Sequence, residues 1–103
     1  MLIRIVRLTF EPAWVDDFVA VFERTSPEIR ATAGCHHLEL WRDADFPHVF
    51  TTYSHWENED ALDRYRSSEL FRSTWGQVKP HFTAPPEAHS YARWTDSPAE
   101  RTG

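Results

Sequence analysis

The chain is poor in residues on which several kinds of protein depend. It has one cysteine, Cys35, so no disulfide can form within it. A lone thiol of this kind fits a reducing compartment. It has three glycines, too few for a glycine-rich phosphate loop, and no Gly-x-Ser-x-Gly elbow occurs. Lysine is represented by Lys79 alone, and ten arginines are scattered along the chain. With a net charge of −5, this pattern lacks the basic cluster that displaces counterions from nucleic-acid phosphates. No apolar run approaches the ~18 residues of a membrane span. Met1 leads straight into Leu2-Ile3-Arg4-Ile5-Val6, with no basic segment ahead of a long apolar stretch, so no signal peptide is read. The expectation is a soluble, cytoplasmic protein with neither nucleic acid nor membrane as partner.

What is present is aromatic area. Five Trp, seven Phe and three Tyr stand in a chain of 103 residues. Each ring buries roughly 150–250 Å², so a few of them build a core without disulfides or metal.

Hydrophobic periodicity orders the chain. Residues 2–10 are β-branched and apolar and read as a strand. Glu11-Pro12 ends it, and proline suits a first helical turn, where its missing N–H would lack a partner anyway. Trp14, Phe18, Val21, Phe22, Thr25 and Ile29 then recur at spacings of three and four, one stripe of an amphipathic helix. Pro27 is expected to kink that helix or end its regular part early, and Gly34 suits its C-terminal cap. Residues 35–42 and 49–56 alternate as strands joined by short turn material, which predicts an antiparallel hairpin. Asn58 is placed as the N-cap of a second helix holding Ala61, Leu62 and Tyr65. Ser67-Ser68 interrupts it, the stripe resumes through Phe71, Trp75 and Val78, and Pro80 stops it. Residues 83–88 read as a Pro-rich connector and His89–Thr95 as a last strand. Residues 1–95 thus form one domain, and 96–103 a polar tail expected to fray. Strand, helix, two strands, helix, strand is the order of the α+β ferredoxin-like β-α-β-β-α-β motif, with a four-stranded antiparallel sheet and helices on one face.

Period-two alternation sorts the strand residues. Val6, Leu8, Leu38, Leu40, Phe50, Thr52, Ser54, Trp56, Ala92 and Trp94 are assigned to the helix side. The open side takes Ile3, Ile5, Arg7, His37, Glu39, Trp41, Val49, Thr51, Tyr53, His55, Tyr91 and Arg93. The second set holds too much apolar area to leave in water, which predicts a two-fold homodimer packed sheet against sheet. The charged members are then expected to serve as interface ion pairs and hydrogen bonds.

Gly34-Cys35, a third strand ending in Trp56, the acidic Glu57–Asp60 run leading to Ala61-Leu62, and Ser68-Glu69-Leu70-Phe71 together resemble the antibiotic biosynthesis monooxygenase family over residues 2–95. The resemblance implies a dimeric α/β barrel. It also implies oxidation of quinol-like or polyketide aromatics without metal or flavin, by some members. A heme-degrading branch is similar around Trp56, but Val6 stands where that branch has an Asn and Trp75 where it has the ligand His. Heme degradation by that route is therefore not expected.

No metal-ligand spacing occurs among the six histidines; His36 and His37, adjacent on a strand, are expected to point to opposite faces. Cys35 reads as a small buried residue rather than a nucleophile. The remaining candidate is a pocket between helices and sheet. Thr52, Ser54, Trp56, Tyr65, Phe71 and Trp75 are its expected lining, with apolar walls and a few hydroxyls for a small aromatic ligand. Tyr65, or His81 if it reaches inward, is the candidate to hydrogen-bond a substrate oxygen. The bland alternative is that these rings pack as core. The expected function is a cofactor-independent monooxygenase acting on a small aromatic, quinol or polyketide-like substrate. The alternative is a non-catalytic dimeric ligand-binding or accessory protein of the same fold.

Overall fold

The computed structural model describes residues 1–93. Four antiparallel strands, β1 (Leu2–Thr9), β2 (Cys35–Arg42), β3 (Val49–Trp56) and β4 (Glu87–Ala92), lie in the order β2-β3-β1-β4. Three helices, α1 (Val15–Arg30), α2 (Glu59–Arg66) and α3 (Glu69–Val78), complete the ferredoxin-like α+β arrangement. None of the helices among the described residues is long and apolar enough to cross a membrane.

Local chemistry sets most element ends. Pro12 opens a short 3-10 turn, Pro12–Trp14, that leads into α1. Trp14 therefore sits ahead of the helix instead of inside it, while Phe18, Val21, Thr25 and Ile29 are buried along its stripe. Pro27 does not end α1, which runs on to Arg30. Its cost is one bond to the Glu23 carbonyl, and both residues are exposed, so water replaces that bond. Arg30 then ties the helix end to the sheet edge by donating to the Leu38 carbonyl at 3.1 Å.

Gly34 turns the chain into β2 with φ +86°, a left-handed conformation. A Cβ there would lie 2.5 Å from the Ala61 Cβ, so the position excludes a side chain twice over. Asn58 Oδ1 accepts the Ala61 N–H at 2.9 Å and starts α2. Ser68 does double duty: its hydroxyl donates to the Tyr65 carbonyl at 2.6 Å and accepts the Phe71 N–H at 3.2 Å. One side chain thus closes α2 and opens α3, which sets Tyr65 beside Phe71 (ring centroids 5.3 Å apart).

Two corrections concern the strands. β4 begins at Glu87, inside the segment expected to be a connector, because the register Arg7↔Glu87 and Val6↔Ala88 continues the β1 ladder. It ends at Ala92, and Trp94, Thr95 and the expected tail fall outside the described residues. A β-bulge between Cys35 and His37 also breaks the simple alternation at the start of β2. Cys35 pairs with Trp56 and His37 with His55, leaving His36 as the extra residue, bonded to Glu57 at 2.6 Å.

Most of the buried apolar side chains fall into two clusters. Leu8, Phe10, Val15, Phe18, Val21, Phe50 and Val78 make the larger one. Trp56, Ala61 and Leu62 make the smaller.

Candidate functional site

Between the sheet and the helices, walled by members of both clusters, lies a cavity of about 390 Å³. All six residues expected from the sequence line it. Thr52, Ser54 and Trp56 come from β3, Tyr65 from α2, and Phe71 and Trp75 from α3. Alternation brings the β3 residues to this face, and the Ser68 junction delivers the helical rings.

The rings form a continuous wall. Trp56 stacks on Tyr65 at 4.9 Å, and Phe71 stacks on Trp75 at 5.6 Å with planes 12° from parallel. Trp75 meets Phe82 edge-on at 5.4 Å. Burial divides them: Trp56 is 1% exposed, whereas Tyr65, Phe71 and Trp75 are half-buried. The core reading therefore fits Trp56 best, and the other three rings leave space between them and the sheet. The Trp56 indole N–H donates to Ser54 Oγ at 3.0 Å, which consumes one of the two hydroxyls expected on β3.

Burial, with a smaller contribution from Cys35, pushes the Tyr65 phenol up to about 12. Near neutral pH Tyr65 is a hydrogen-bond donor and not a base. His81, the other candidate for a substrate oxygen, does not line the cavity. It is the last residue of the 3-10 turn Lys79–His81, where it stacks on Trp14 at 3.9 Å and bonds Glu11 at 3.0 Å. Cys35 is half-buried, and burial raises its thiol, which removes thiolate character.

Two charged lining residues were passed over in the sequence. Arg4 follows the same alternation as Val6 and Leu8, so a charge on the covered face of β1 was there to be read. Arg66, the last residue of α2, carries no such signal, because only the helix packing brings it to the cavity. Among the described residues, no Asp, Glu or His lines the cavity. Among the described residues, no group of three or more potential metal ligands is found.

Among the described residues, nothing covers the opposite face of the sheet. Trp41 stacks on Tyr53 at 4.8 Å, and His55 bonds the Tyr53 hydroxyl at 2.6 Å. Glu39 accepts from the Trp41 indole at 2.8 Å and bonds His37. Trp41 and Tyr91 are 43% and 52% exposed. Val49, expected on this apolar surface, is instead buried. Arg7 and Arg93 also belong to the open set; Arg7 lies 3.9 Å from Asp43 and 4.0 Å from Glu87 within the same chain.

The strand order, the helices on one face and the cavity they enclose define a ferredoxin-like α+β domain built around an aromatic-walled cavity. A model of the antibiotic biosynthesis monooxygenase family matches residues 1–75, and the chain belongs to that family. The match ends at Trp75, so the rest of α3 and β4 lie beyond it. The fold is similar to a solved antibiotic biosynthesis monooxygenase, with TM-score 0.87, 19% identity, and 92% of this chain and 100% of that chain covered. It is also similar to Rv0793 from Mycobacterium tuberculosis, with TM-score 0.85, 22% identity, and 93% and 97% covered. A conserved protein from Methanosarcina mazei aligns with TM-score 0.82, 21% identity, and 88% and 91% covered. No curated protein sequence matches the chain.

Proposed function

We propose that the protein is a cofactor-independent monooxygenase acting on a small aromatic, quinol or polyketide-like substrate held in the cavity. The observation that carries this reading is the cavity of about 390 Å³, walled by Tyr65, Phe71 and Trp75, in a chain of this family. That size is in the range of pockets that enclose small organic ligands. The chemistry needs no resident group. A deprotonated hydroxyarene gives an electron to O₂, and the pair recombines as a C–O bond on the ring. Loss of water with the ring hydrogen then leaves a quinone, so one oxygen atom enters the product and the other leaves as water. Tyr65, held neutral, donates to the substrate oxygen, and the apolar walls hold the ring.

The same proposal includes a homodimer through the open sheet face, supported by the exposed Trp41 and Tyr91 beside Ile3, Ile5 and Tyr53. It also includes a cytoplasmic setting, supported by the single cysteine.

A second reading, a non-catalytic ligand-binding or accessory protein, is favoured by one observation: among the described residues, the cavity wall carries no carboxylate or imidazole to take the substrate proton. In the oxygenase reading that proton goes to water. Oxygen consumption separates the two. Purified protein is offered phenols, naphthols and quinols in the presence of a metal chelator and without added flavin. Turnover supports the oxygenase, and tight binding without oxygen uptake supports the accessory protein.

A further inference from the structure

Arg4 sits on the covered face of β1, opposite Ser54 on β3 and Ser90 on β4. Its Nη1 donates to Ser90 Oγ at 2.9 Å, a neutral partner. Arg66 reaches the same cavity from the end of α2. Among the described residues, neither guanidinium has a carboxylate within 4.0 Å, although the chain is acidic as a whole. Arg4 is half-buried there, so part of the cost of desolvating its charge falls on the fold unless a counter-charge meets it. Leu2, Val6 and Leu8, which share that face of the strand, carry no such cost.

The electrostatics point the same way. Burial and then the Arg66 charge press Arg4 below the usual guanidinium range, while Asp63 only partly offsets them. Two like charges facing one cavity are unfavourable when it is empty and favourable when an anion sits between them.

We propose that Arg4 and Arg66 make the cavity selective for a flat aromatic carrying an ionised oxygen, a carboxylate or a phenolate, with the ring laid against Tyr65, Phe71 and Trp75. This rests on the reading of the cavity as the substrate site. Arginine offers a planar fork of donors that matches a carboxylate in two bonds, and a phenolate in one or two. For a phenolate, the same pair lowers the cost of deprotonation, the step for which the described residues of the cavity wall supply no base.

The test compares 2-naphthoate with 2-naphthamide, equal in shape and different in charge, by titration calorimetry at neutral pH and low salt. The acid is expected to bind ~10-fold or more tightly than the amide, the scale of a charge-assisted hydrogen bond. Added salt is expected to narrow the gap. Arg4→Gln and Arg66→Gln are each expected to bring the ratio toward one while the amide affinity holds. Arg66 is exposed on a helix end, so its variant keeps the test valid if Arg4→Gln does not fold. Equal binding of acid and amide overturns the anion selectivity and leaves the cavity reading standing. Binding of neither overturns both. The oxygen type is read with 2-naphthol: a lowered phenol pKa on binding assigns the phenolate, and an unchanged one assigns the carboxylate.

Discussion

The indole of Trp56 stacks on the phenol of Tyr65 with ring centroids 4.9 Å apart and planes 23° from parallel. One ring belongs to the end of a strand and the other to the helix that follows, so this contact joins the smaller core cluster to the cavity wall. The two residues nevertheless do different jobs. Trp56 is core, with its N–H bonded to Ser54, and Tyr65 is half-buried and faces the cavity.

Truncating two tryptophans separates core from wall. Trp56→Ala is expected to lose about 3–5 kcal/mol of stability, as a fully buried ring does. Trp75→Ala is expected to lose less, because Trp75 is half-buried and borders space already empty. Its main effect is weaker binding of aromatic probes. Urea unfolding of both variants, with naphthol titration of the folded proteins, measures the contrast.

The Tyr65 phenol titrates late. An ultraviolet difference titration of wild type against Tyr65→Phe is expected to show a phenolate transition near 12. The sign of the stability effect follows. The unfolded chain releases this proton near 10 and the folded one near 12, so stability from Tyr65 is present below pH 10 and lost between the two. Tyr65→Phe removes that alkaline loss.

Gly34→Ala meets two obstacles at once, a φ of +86° and a Cβ 2.5 Å from the Ala61 side chain. Left-handed strain and overpacking together cost roughly 2–5 kcal/mol. Thermal unfolding checks the loss. A variant as stable as wild type would mean that α2 does not pack against this turn.

The open sheet face is acid-sensitive. Burial, then the charges of His37 and Arg93, hold His55 below its ordinary value, while Glu39 partly opposes them. The unfolded chain takes up this proton near pH 6.5 and the folded one only at lower pH, so stability falls as pH drops below 6.5. Packing of the same face against a second copy would exclude the proton further. Sedimentation at pH 7.5 and 5 is expected to show a dimer weakening toward acid, and His55→Gln is expected to flatten that dependence. A monomer at every pH would remove the sheet-to-sheet dimer.

Much of this architecture is legible in the residues because the causes are local. Proline and glycine act on their own backbone, Asn58 and Ser68 cap within three residues, and alternation follows from the pleat. Hence the element order, the Asn58 cap and the six cavity rings and hydroxyls follow from the chain itself, whereas α1 is capped at Ala31 and not at Gly34. Other features depend on contacts distant in sequence. β4 starts at Glu87 because β1 offers partners there, and Pro27 stays helical because it faces solvent. The bulge at Cys35 arises from pairing with Trp56 and His55. His81 is drawn away by Trp14 and Glu11, residues far back in the chain. Most of all, alternation puts Arg4 on the covered face, but only the folded chain sets Arg66 beside the same cavity, because a charge is felt through space and not along the sequence.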